Sequence, residues 1–438
     1  MTTSRRNFIK KAAASSALLT LGGALPGFSA ASYSRIIGAN DRVLVAGIGV
    51  GDRGNSVITD FARQSAQCEV IAVCDVDKQV MDKCIANVTK AQTRTPKGEK
   101  DMRKLLENKQ IDAVMIATPD HWHVPAALLS MQAGKHTYVE KPLSHNPREG
   151  EMMVEATAKY NKVFQHGTGG RSSGSSKAAV KLLREGVIGK IHFAKSWYFN
   201  DRPSIGIGKQ VPVPDWLDWN LWQGPAPRTL YKDNFHPYNW HWFWHWGTAE
   251  SANNGVHRID LMRWAMNLDY PVKVSSTGGR LYFKDDWETP DTQVINLEFA
   301  DGVFMLWEGY SCSGPHGIGI VFYGDKGSLS LSNGYQLFDK ENKLVRDYKT
   351  DLLNQNREAQ AGEQSHVVNF LDAITKGAPV NAPVDEAYKS TLLMLLGNIA
   401  LRTGRTLNIN PANGHIINDS EAQKFWHRSY EPGWEPKV

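Results

Sequence analysis

A glycine-rich turn between two short apolar runs is the feature that most restricts how this chain can fold. Residues 42–48 (RVLVAGI) are mostly apolar, which is typical of a buried parallel strand. Residues 49–54 (GVGDRG) follow as G-x-G-x-x-G, and residues 55–63 predict a helix. The first glycine permits a tight turn, the second lets backbone approach a phosphate, and the third lets helix pack on strand. Because the helix amino terminus then offers free N–H groups, the pattern predicts a dinucleotide-binding unit.

A second apolar run ends in an acid at the spacing that a dinucleotide site needs. Residues 69–74 (EVIAVC) predict the next parallel strand, and Asp75 follows it, 21 positions after Gly54. A carboxylate there accepts hydrogen bonds from the adenosine ribose and repels a 2′-phosphate, so NAD is expected as cofactor in preference to NADP. The alternative is an ordinary parallel α/β domain in which the acid is incidental.

Length and composition limit the kinds of function that the chain can have. Its 438 residues are enough for two domains with substantial cores. The formal net charge of +5 is not gathered into basic runs, so no nucleic-acid partner is expected. Many of the 14 Trp residues fall within 197–264, which indicates either a platform for sugar faces or a large aromatic core. The four Cys residues lack C-x-x-C spacing and are expected to be buried thiols.

Residues 1–31 resemble an export signal. Arg5 and Arg6 stand in a stretch similar to the twin-arginine pattern, a mild apolar segment follows at 12–25, and small residues precede a cleavage site near Ala31. The alternative is an uncleaved membrane anchor, but the apolar segment is shorter than the ~20 residues that a spanning helix requires. A periplasmic protein without a membrane partner is therefore expected. Since no pool of soluble nicotinamide is expected there, the cofactor should stay bound and be regenerated in place.

A third predicted strand, at residues 112–117 (DAVMIA), leads into a polar loop. That loop contains Thr118, Pro119 and His123. Loops after the carboxyl ends of parallel strands are where such sheets hold ligands, so these residues are candidates for cofactor binding.

Residues 140–142 (EKP), directly after a strand predicted at 135–139, make a family resemblance specific. Together with the glycine turn, they make the chain similar to the Gfo/Idh/MocA oxidoreductase family over residues 42–407. In that family the lysine of this motif contacts cofactor and substrate, and Lys141 matches it. A lysine beside a cationic nicotinamide and shielded from water should have a lowered pKa, so Lys141 is predicted to shuttle a proton from a sugar hydroxyl.

The predicted cofactor site combines the glycine turn with polar residues at three strand ends. Its members are Gly49, Val50, Gly51, Asp52, Arg53, Gly54, Asp75, Thr118, Pro119, His123, Glu140 and Lys141.

The resemblance also implies the domain organisation. The fold class is α/β, with a Rossmann NAD-binding domain at 41–164, an α+β substrate domain at 165–410 that contains a large open, mostly antiparallel sheet, and a C-terminal tail at 411–438. Strands of the second sheet are predicted at 191–199, 272–277, 291–298, 303–310 and 317–323, and helices at 176–186, 366–375 and 385–402. Relatives pair through the open sheet, so a homo-oligomer is expected.

The second domain contains a stretch, residues 253–260 (NNGVHRID), that resembles the family pattern D-x-G-x-H-x-x-D. His257 and Asp260 match this pattern, and Asn253 replaces its first aspartate. His257 is the predicted general acid/base because imidazole takes and returns protons near neutral pH. Asn253 is expected to orient a substrate hydroxyl, and Asp260 is expected to face the substrate.

Three further substrate contacts are predicted. Arg171 stands in the family's crossover loop, where paired glycines depart from the usual pattern. Trp244 and His245 lie in the Trp-rich segment 239–246, which suits stacking against a sugar. His245 and His241 are also spaced as metal ligands on a helix, but no nearby acid or cysteine completes a set, so no metal is predicted.

These observations predict an exported enzyme that uses tightly bound NAD(H) to move hydride to or from a secondary alcohol of a sugar or polyol. A different class fits the same residues: an NAD-dependent glycosidase that oxidises a sugar transiently, eliminates the glycosidic leaving group and returns the hydride. A non-catalytic carbohydrate-binding protein is the third hypothesis. It needs the tryptophans but neither Lys141 nor the glycine turn.

Overall fold

Six parallel strands form the first sheet, in the order β3-β2-β1-β4-β5-β6. The strand order reverses between β1 and β4, which is the crevice where open sheets of this kind bind dinucleotides. The four predicted strands are confirmed as β1, β2, β4 and β5, with ends that shift by at most one residue, whereas β3 and β6 were not predicted. The six strands have the following bounds. They are β1 (Val43–Ile48), β2 (Cys68–Cys74), β3 (Lys97–Glu99), β4 (Ala113–Ile116), β5 (His136–Val139) and β6 (Phe164–His166).

This computed structural model describes residues 42–332, 334–354 and 365–438. The predicted export signal at 1–31 lies outside the described residues. Residues 43–438 form one compact unit. In the described part of the chain, no helix combines the length and the apolar character needed to cross a membrane.

Five helices connect the parallel strands. The first, α1, begins at Asp52 rather than at the predicted Asn55, because Gly51 occupies the N-cap position directly after the turn. The second is capped by Asp77, whose carboxylate accepts the N–H groups of Gln79 and Val80. The helices are α1 (Asp52–Arg63), α2 (Lys78–Ala91), α3 (Met102–Glu107), α4 (His123–Gln132) and α5 (Pro147–Tyr160).

Nine strands form the second sheet, in the order β14-β13-β12-β11-β7-β10-β9-β8-β15. Every neighbouring pair is antiparallel except β7 and β10, which confirms the predicted open, mostly antiparallel sheet. Along β9 and β10 buried and half-buried residues alternate, so one face packs on helices. The strands are β7 (Ile191–Asp201), β8 (Lys273–Gly279), β9 (Thr292–Glu298), β10 (Phe304–Tyr310), β11 (Cys312–Gly324), β12 (Ser328–Ser332), β13 (Gly334–Phe338), β14 (Leu344–Asp347) and β15 (Leu407–Asn408).

Helices cover the inner face of the second sheet. A π-helical turn, Ser251–Gly255, leads directly into the helix that carries His257. Such turns inside helices are frequent at functional sites. The remaining helices are α6 (Gly174–Arg184), α7 (Trp219–Gln223), α8 (Val256–Met266), α9 (Tyr348–Asn354), α10 (His366–Lys376), α11 (Val384–Thr403) and α12 (Ser420–Gln423).

Two segments from residue 165 onward belong structurally to the first domain. Helix α10 lies within the predicted substrate domain, yet its Phe370 packs on Phe61 of α1 and on Tyr138 of β5, with ring centroids 6.1 and 6.0 Å apart. Strand β6 belongs to the first sheet and runs past residue 165, where the second domain was predicted to begin. The first sheet therefore extends two residues beyond residue 164, the predicted end of the first domain.

All four cysteines are reduced. Cys68, Cys74 and Cys84 are buried in the first domain, and Cys312 is half-buried. They are structural thiols of the cores and form no disulfide.

Candidate active site

The glycine turn has the geometry of a phosphate cradle. Gly49 has φ of 72°, and a Cβ there would lie 2.6 Å from the backbone nitrogen of Thr118. A Cβ on Gly54 would lie 2.0 Å from the carbonyl oxygen of Gly49, so neither position accepts a side chain. A Cβ on Gly51 would meet no atom within 4 Å, which leaves open space in front of α1. Since no side chain caps α1, its first N–H groups face that space and suit an anionic pyrophosphate.

Asp75 joins the end of β2 to the glycine turn. Its carboxylate accepts the N–H of Val50 at 2.8 Å and that of Asp77 at 3.0 Å. Burial raises the pKa of Asp75 to about 6, although the backbone hydrogen bonds act in the opposite direction. The carboxylate lines the cavity described below and is mostly ionised at neutral pH, so it can accept hydroxyl groups of a ribose there.

A cavity of about 760 Å³ runs from this turn to the second domain. Of the twelve predicted cofactor-binding residues, all but Val50 line it. Val50 is buried and acts only through its backbone N–H. The volume is in the range of cofactor sites in proteins, and the open space at Gly51 and the free N–H groups of α1 suit a dinucleotide.

Lys141 and Asn253 meet in this cavity from different domains. Lys141 follows β5, Asn253 stands in the π-helical turn, and the lysine Nζ donates to the asparagine Oδ1 at 2.6 Å. Burial lowers the pKa of Lys141, while the charges of Glu140, Asp120 and Glu250 act against that effect. A lowered pKa makes the amine available for proton transfer, as the sequence predicted.

His257 lines the same cavity. Burial, followed by the charge of Lys141, holds the pKa of its imidazole well below the ordinary range. Among the described residues the ring has no hydrogen-bond partner, so both nitrogens are available to a ligand. The imidazole is therefore neutral at pH 7 and a weaker base than an ordinary histidine, and its role as general acid/base stays a prediction.

Glu250 orients the amide of Asn253, and the sequence did not reveal it. This buried carboxylate forms an ion pair with Arg202 at 2.9 Å and accepts the Nδ2 group of Asn253 at 3.5 Å. It also accepts a hydrogen bond from Asn254. Because the amide nitrogen faces Glu250, the amide oxygen of Asn253 faces Lys141.

Glu140 and His123 hold the loops at the strand ends. Arg53 forms an ion pair with Glu140 at 2.9 Å across the glycine turn. The ring nitrogens of His123 lie 2.9 Å from the Thr118 carbonyl oxygen and 2.5 Å from the Pro142 carbonyl oxygen. His123 therefore fixes two loops that line the cavity, and its ring nitrogens are occupied by the protein itself.

Asp120 is a second buried acid of the cavity that the sequence did not single out. It accepts a hydrogen bond from Thr248 at 2.6 Å, and burial raises its pKa. Its negative charge acts on Lys141. The sequence contained one indication of a role for Asp120: it stands in the loop after β4, which was predicted to hold a ligand.

Arg171 and Asp260 pair with each other instead of facing the cavity. The guanidinium donates two hydrogen bonds of 2.8 Å to the carboxylate, and both side chains are at most 4% exposed. Arg171 also contacts Glu386 at 2.8 Å, and Ser390 donates to Asp260 at 2.8 Å. Neither residue lines the cavity, so the predicted substrate contacts are replaced by a buried ion pair that joins the crossover loop to α8 and α11.

Trp244 and His245 also lie away from the cavity. The Arg402 guanidinium lies 4.7 Å from the Trp244 ring centroid, and the His245 Nε2 lies 2.7 Å from the Pro227 carbonyl oxygen. These local partners replace the predicted contacts with substrate. The aromatic side chains that do line the cavity are Trp122, Tyr198, Trp222, Tyr238, Trp240 and Trp434.

Most of the Trp-rich segment forms an aromatic core. Trp219, Trp222 and Trp246 pack with ring centroids 4.7 to 5.6 Å apart, and all three are buried. Of the two interpretations of this segment, the aromatic core accounts for most of its rings. In the part of the chain that the structure describes, no group of three or more His, Cys, Asp or Glu could hold a metal ion.

Family models match both halves of the chain. The Gfo/Idh/MocA oxidoreductase family, NAD-binding Rossmann fold, matches residues 42–168, and the C-terminal alpha/beta domain of the same oxidoreductase family matches residues 187–436.

Individual relatives give a consistent picture of the fold. A glycosyl hydrolase family 109 protein of Shewanella baltica is 31% identical over 215 residues, 45% of this chain and 46% of that protein. The chain thus spans about half the length of such relatives. The WlbA dehydrogenase of Chromobacterium violaceum, solved with NADH and UDP-GlcNAcA, is 18% identical with a TM-score of 0.66, covering 84% of this chain and 96% of that one. The myo-inositol dehydrogenase of Lactobacillus casei, solved with NAD(H) and myo-inositol, is 18% identical with a TM-score of 0.61, covering 87% and 100%.

The family matches cover both sheets and the strand ends that form the cavity. Likeness to the solved structures supports the same two-sheet architecture. The chain therefore belongs to the Gfo/Idh/MocA family of oxidoreductases, with an NAD-binding Rossmann fold.

Proposed function

We propose that this chain is an exported oxidoreductase that uses tightly bound NAD(H) for hydride transfer at a secondary alcohol of a sugar or polyol. The observation that carries the proposal is the meeting of Lys141, Asn253 and His257 in one cavity with the glycine turn. The turn and Asp75 suit the pyrophosphate and the ribose, whereas the three side chains suit a hydroxyl group. A nicotinamide bound between them supplies the two-electron hydride acceptor or donor.

The proton of the substrate hydroxyl is handled by Lys141 and His257. When the alcohol is oxidised to a ketone, its carbon gives up a hydride and its oxygen gives up a proton. The lowered pKa of Lys141 provides a neutral amine that accepts this proton, while His257 is neutral at pH 7 and hydrogen-bonds the hydroxyl. Asn253 holds the Lys141 amine through its amide oxygen, and Glu250 holds the amide. In ketone reduction the same groups return the proton.

NAD is proposed over NADP because of Asp75. The carboxylate lies on the cavity wall at the end of β2, where it would repel a 2′-phosphate. Its engagement with the N–H of Val50 fixes it against the turn, so it cannot easily move aside.

A second candidate is redox-neutral glycoside cleavage, in which a sugar is oxidised, loses a glycosidic leaving group and is reduced again. The specific observation in its favour is that similar proteins bear the name glycosyl hydrolase family 109. The cavity also carries a further imidazole, His241, whose pKa burial lowers to about 3. Elimination needs a base at carbon in addition to the groups at the hydroxyl, and an imidazole with so low a pKa is a poor one, so this candidate rests on the names of the relatives.

One experiment separates the two candidates. The protein is purified without added nucleotide and mixed with free sugars, polyols and aryl glycosides, and near-ultraviolet absorbance and products are followed. Absorbance of reduced nicotinamide that persists until a second sugar is added supports the oxidoreductase. Aglycone release without lasting reduction supports the glycosidase. Absence of bound nucleotide and of both reactions would leave only a binding protein.

Lys141→Met tests the assigned proton transfer in the same assay. The variant is expected to retain nucleotide and to lose turnover, whereas Lys90→Met, at an exposed lysine of α2, should behave as wild type. Unchanged turnover in Lys141→Met would remove the lysine from the mechanism.

Export is a separate part of the proposal. Replacement of Arg5 and Arg6 by Lys is expected to retain the chain in the cytoplasm, because twin-arginine recognition depends on those side chains. Cell fractionation and amino-terminal sequencing of the mature protein test this. An uncleaved chain in the membrane fraction would favour the anchor alternative.

A further inference from the structure

We propose that Trp434, in the C-terminal tail, forms part of the adenine subsite and slows release of the cofactor. This inference rests on the proposed function, because it concerns the same dinucleotide. Trp434 lines the 760 Å³ cavity although it lies 380 positions after the glycine turn ends at Gly54. Neither the motif nor the family's cofactor pattern includes it.

The position of Trp434 identifies the half of the cofactor that it would meet. In sheets of this order, the adenosine half lies over β1, β2 and β3, and the nicotinamide half lies beyond β4. The Arg103 guanidinium, which lies 4.9 Å from the Trp434 ring centroid, belongs to α3, the helix after β3, and Val76 and Val80, which follow β2, line the same cavity. Lys141 and His257 belong to the other half of the site.

The surroundings of Trp434 suit a flat aromatic base. Its ring packs edge-to-face on Trp122 with centroids 5.5 Å apart, and the Arg103 guanidinium lies 4.9 Å from the ring centroid. Indole faces and guanidinium planes are the groups on which nucleobases stack. Trp434 is half-buried, so part of its surface is open to a ligand in the cavity.

The tail is held firmly enough to place the ring. Arg428 forms an ion pair with the fully buried Glu149 at 2.7 Å, and Tyr430 donates to the same carboxylate at 2.9 Å. Further along, the N–H of Glu431 donates to the carbonyl of Pro225 at 3.0 Å. These contacts join the tail to α5 and to the loop after α7, so the tail closes this end of the cavity from both domains.

A second segment closes the same end from the side of β2. The N–H of Asp218 donates to the carbonyl of Val76 at 3.0 Å, and that of Lys78 donates to the carbonyl of Trp216 at 2.9 Å. Lys100 also forms an ion pair with Asp218 at 2.9 Å. These contacts fix the segment beside β2, and we expect it and the tail to slow release of a dinucleotide from the adenosine end.

The test compares Trp434→Ala and Trp434→Leu with wild type and with Lys437→Ala, a control at an exposed position of the same tail. Exchange of bound nucleotide for isotope-labelled NAD is timed, and affinities for AMP and for nicotinamide mononucleotide are measured by calorimetry. Both Trp434 variants should exchange faster and bind AMP about five- to 150-fold more weakly. Nicotinamide mononucleotide should bind unchanged, and Trp434→Phe should retain most of the AMP affinity.

The outcomes separate this inference from the proposed function. If wild type neither holds nor binds NAD, the proposed function fails. If wild type binds NAD but the Trp434 variants exchange it and bind AMP as wild type does, only the role of Trp434 is overturned. Equal weakening of AMP and of nicotinamide mononucleotide would also overturn it, because that result indicates general disturbance of the site. Thermal unfolding checks that the variants fold. If Trp434→Ala does not fold, the comparison uses Trp434→Leu, which retains more of the side-chain volume.

Discussion

Asn253→Asp should raise the pKa of Lys141 and move the pH dependence of turnover to higher pH. The new carboxylate would replace an amide oxygen that lies 2.6 Å from the lysine Nζ. An opposite charge in contact shifts a pKa by about 1–3 pH units, which corresponds to about 1.4–4 kcal/mol. The new carboxylate would also face Glu250, whose Oε1 lies 3.5 Å from the Asn253 Nδ2, and this like-charge contact opposes part of the shift, so the lower end of the range is expected.

The sign of the effect on rate follows from the form of the lysine that accepts the proton. Burial lowers the pKa of Lys141 in the wild type, so alcohol oxidation should rise with pH through a midpoint below the ordinary lysine value. At a fixed pH below the Lys141 pKa of both wild type and variant, the neutral fraction of Lys141 is about ten- to thousandfold smaller in Asn253→Asp than in wild type. The rate of oxidation should fall by the same factor and recover at higher pH.

Single-turnover reduction of the bound cofactor, followed by near-ultraviolet absorbance across a pH series, measures this midpoint. Asn254→Asp is the matched control, since this neighbouring amide also lines the cavity but contacts Glu250 rather than Lys141. The reasoning is refuted if the midpoint does not move in Asn253→Asp, or if it moves equally in the control.

Three further predictions concern specificity and stability. Asp75→Asn should improve the affinity for NADP relative to NAD by about tenfold or more in calorimetric titrations. In wild type the preference for NAD over NADP should weaken as pH falls through about 6, the pKa of Asp75. An equal preference in variant and wild type would contradict this. Arg171→Met should lower the free energy of unfolding by about 3–5 kcal/mol in denaturant titrations, because Asp260 is left charged and buried, while the affinity for NAD persists. Unfolding at constant ionic strength should become easier as pH falls below about 6.5, because five buried or half-buried histidines have lowered pKa values. Each is neutral in the fold and protonates on unfolding, which lowers the free energy of unfolding by about 1.4 kcal/mol per histidine at one pH unit below 6.5. A stability that is flat between pH 7 and 5 would contradict the last prediction. The histidines are His121, His145, His166, His241 and His257.

The nucleotide domain could be predicted from sequence because its signals are local. Apolar runs, the glycine turn and Asp75 each depend on neighbours within a few residues, and the strand order then brings the strand ends together. Lys141 was predictable for the same reason, since it lies two residues after the end of β5. The boundaries moved by one to three residues where a cap such as Gly51 decided the helix start.

Side chains of the second domain were harder to place because distant partners decide their orientation. Arg171 and Asp260 looked like substrate contacts, but each satisfies the other's charge across 89 positions of sequence. Trp244 and His245 stand in the same dense segment as His241, yet only His241 lines the cavity. In a non-helical stretch of this kind, spacing does not tell which ring faces inward.

Contacts between distant segments also explain what the sequence did not reveal. Glu250, which accepts the amide of Asn253, has its charge balanced by Arg202, the residue directly after β7. Trp434 reaches the cavity only because the tail crosses both domains. Helix α10 lies among second-domain residues in sequence but packs on the first sheet.

A crystal structure of the full chain with NADH tests the central claim most directly. We expect the pyrophosphate to lie at the N–H groups of α1, the nicotinamide between Lys141 and His257, and the adenine beside Trp434. A nicotinamide located at the Trp434 end, or a cavity that binds no dinucleotide at all, would contradict it.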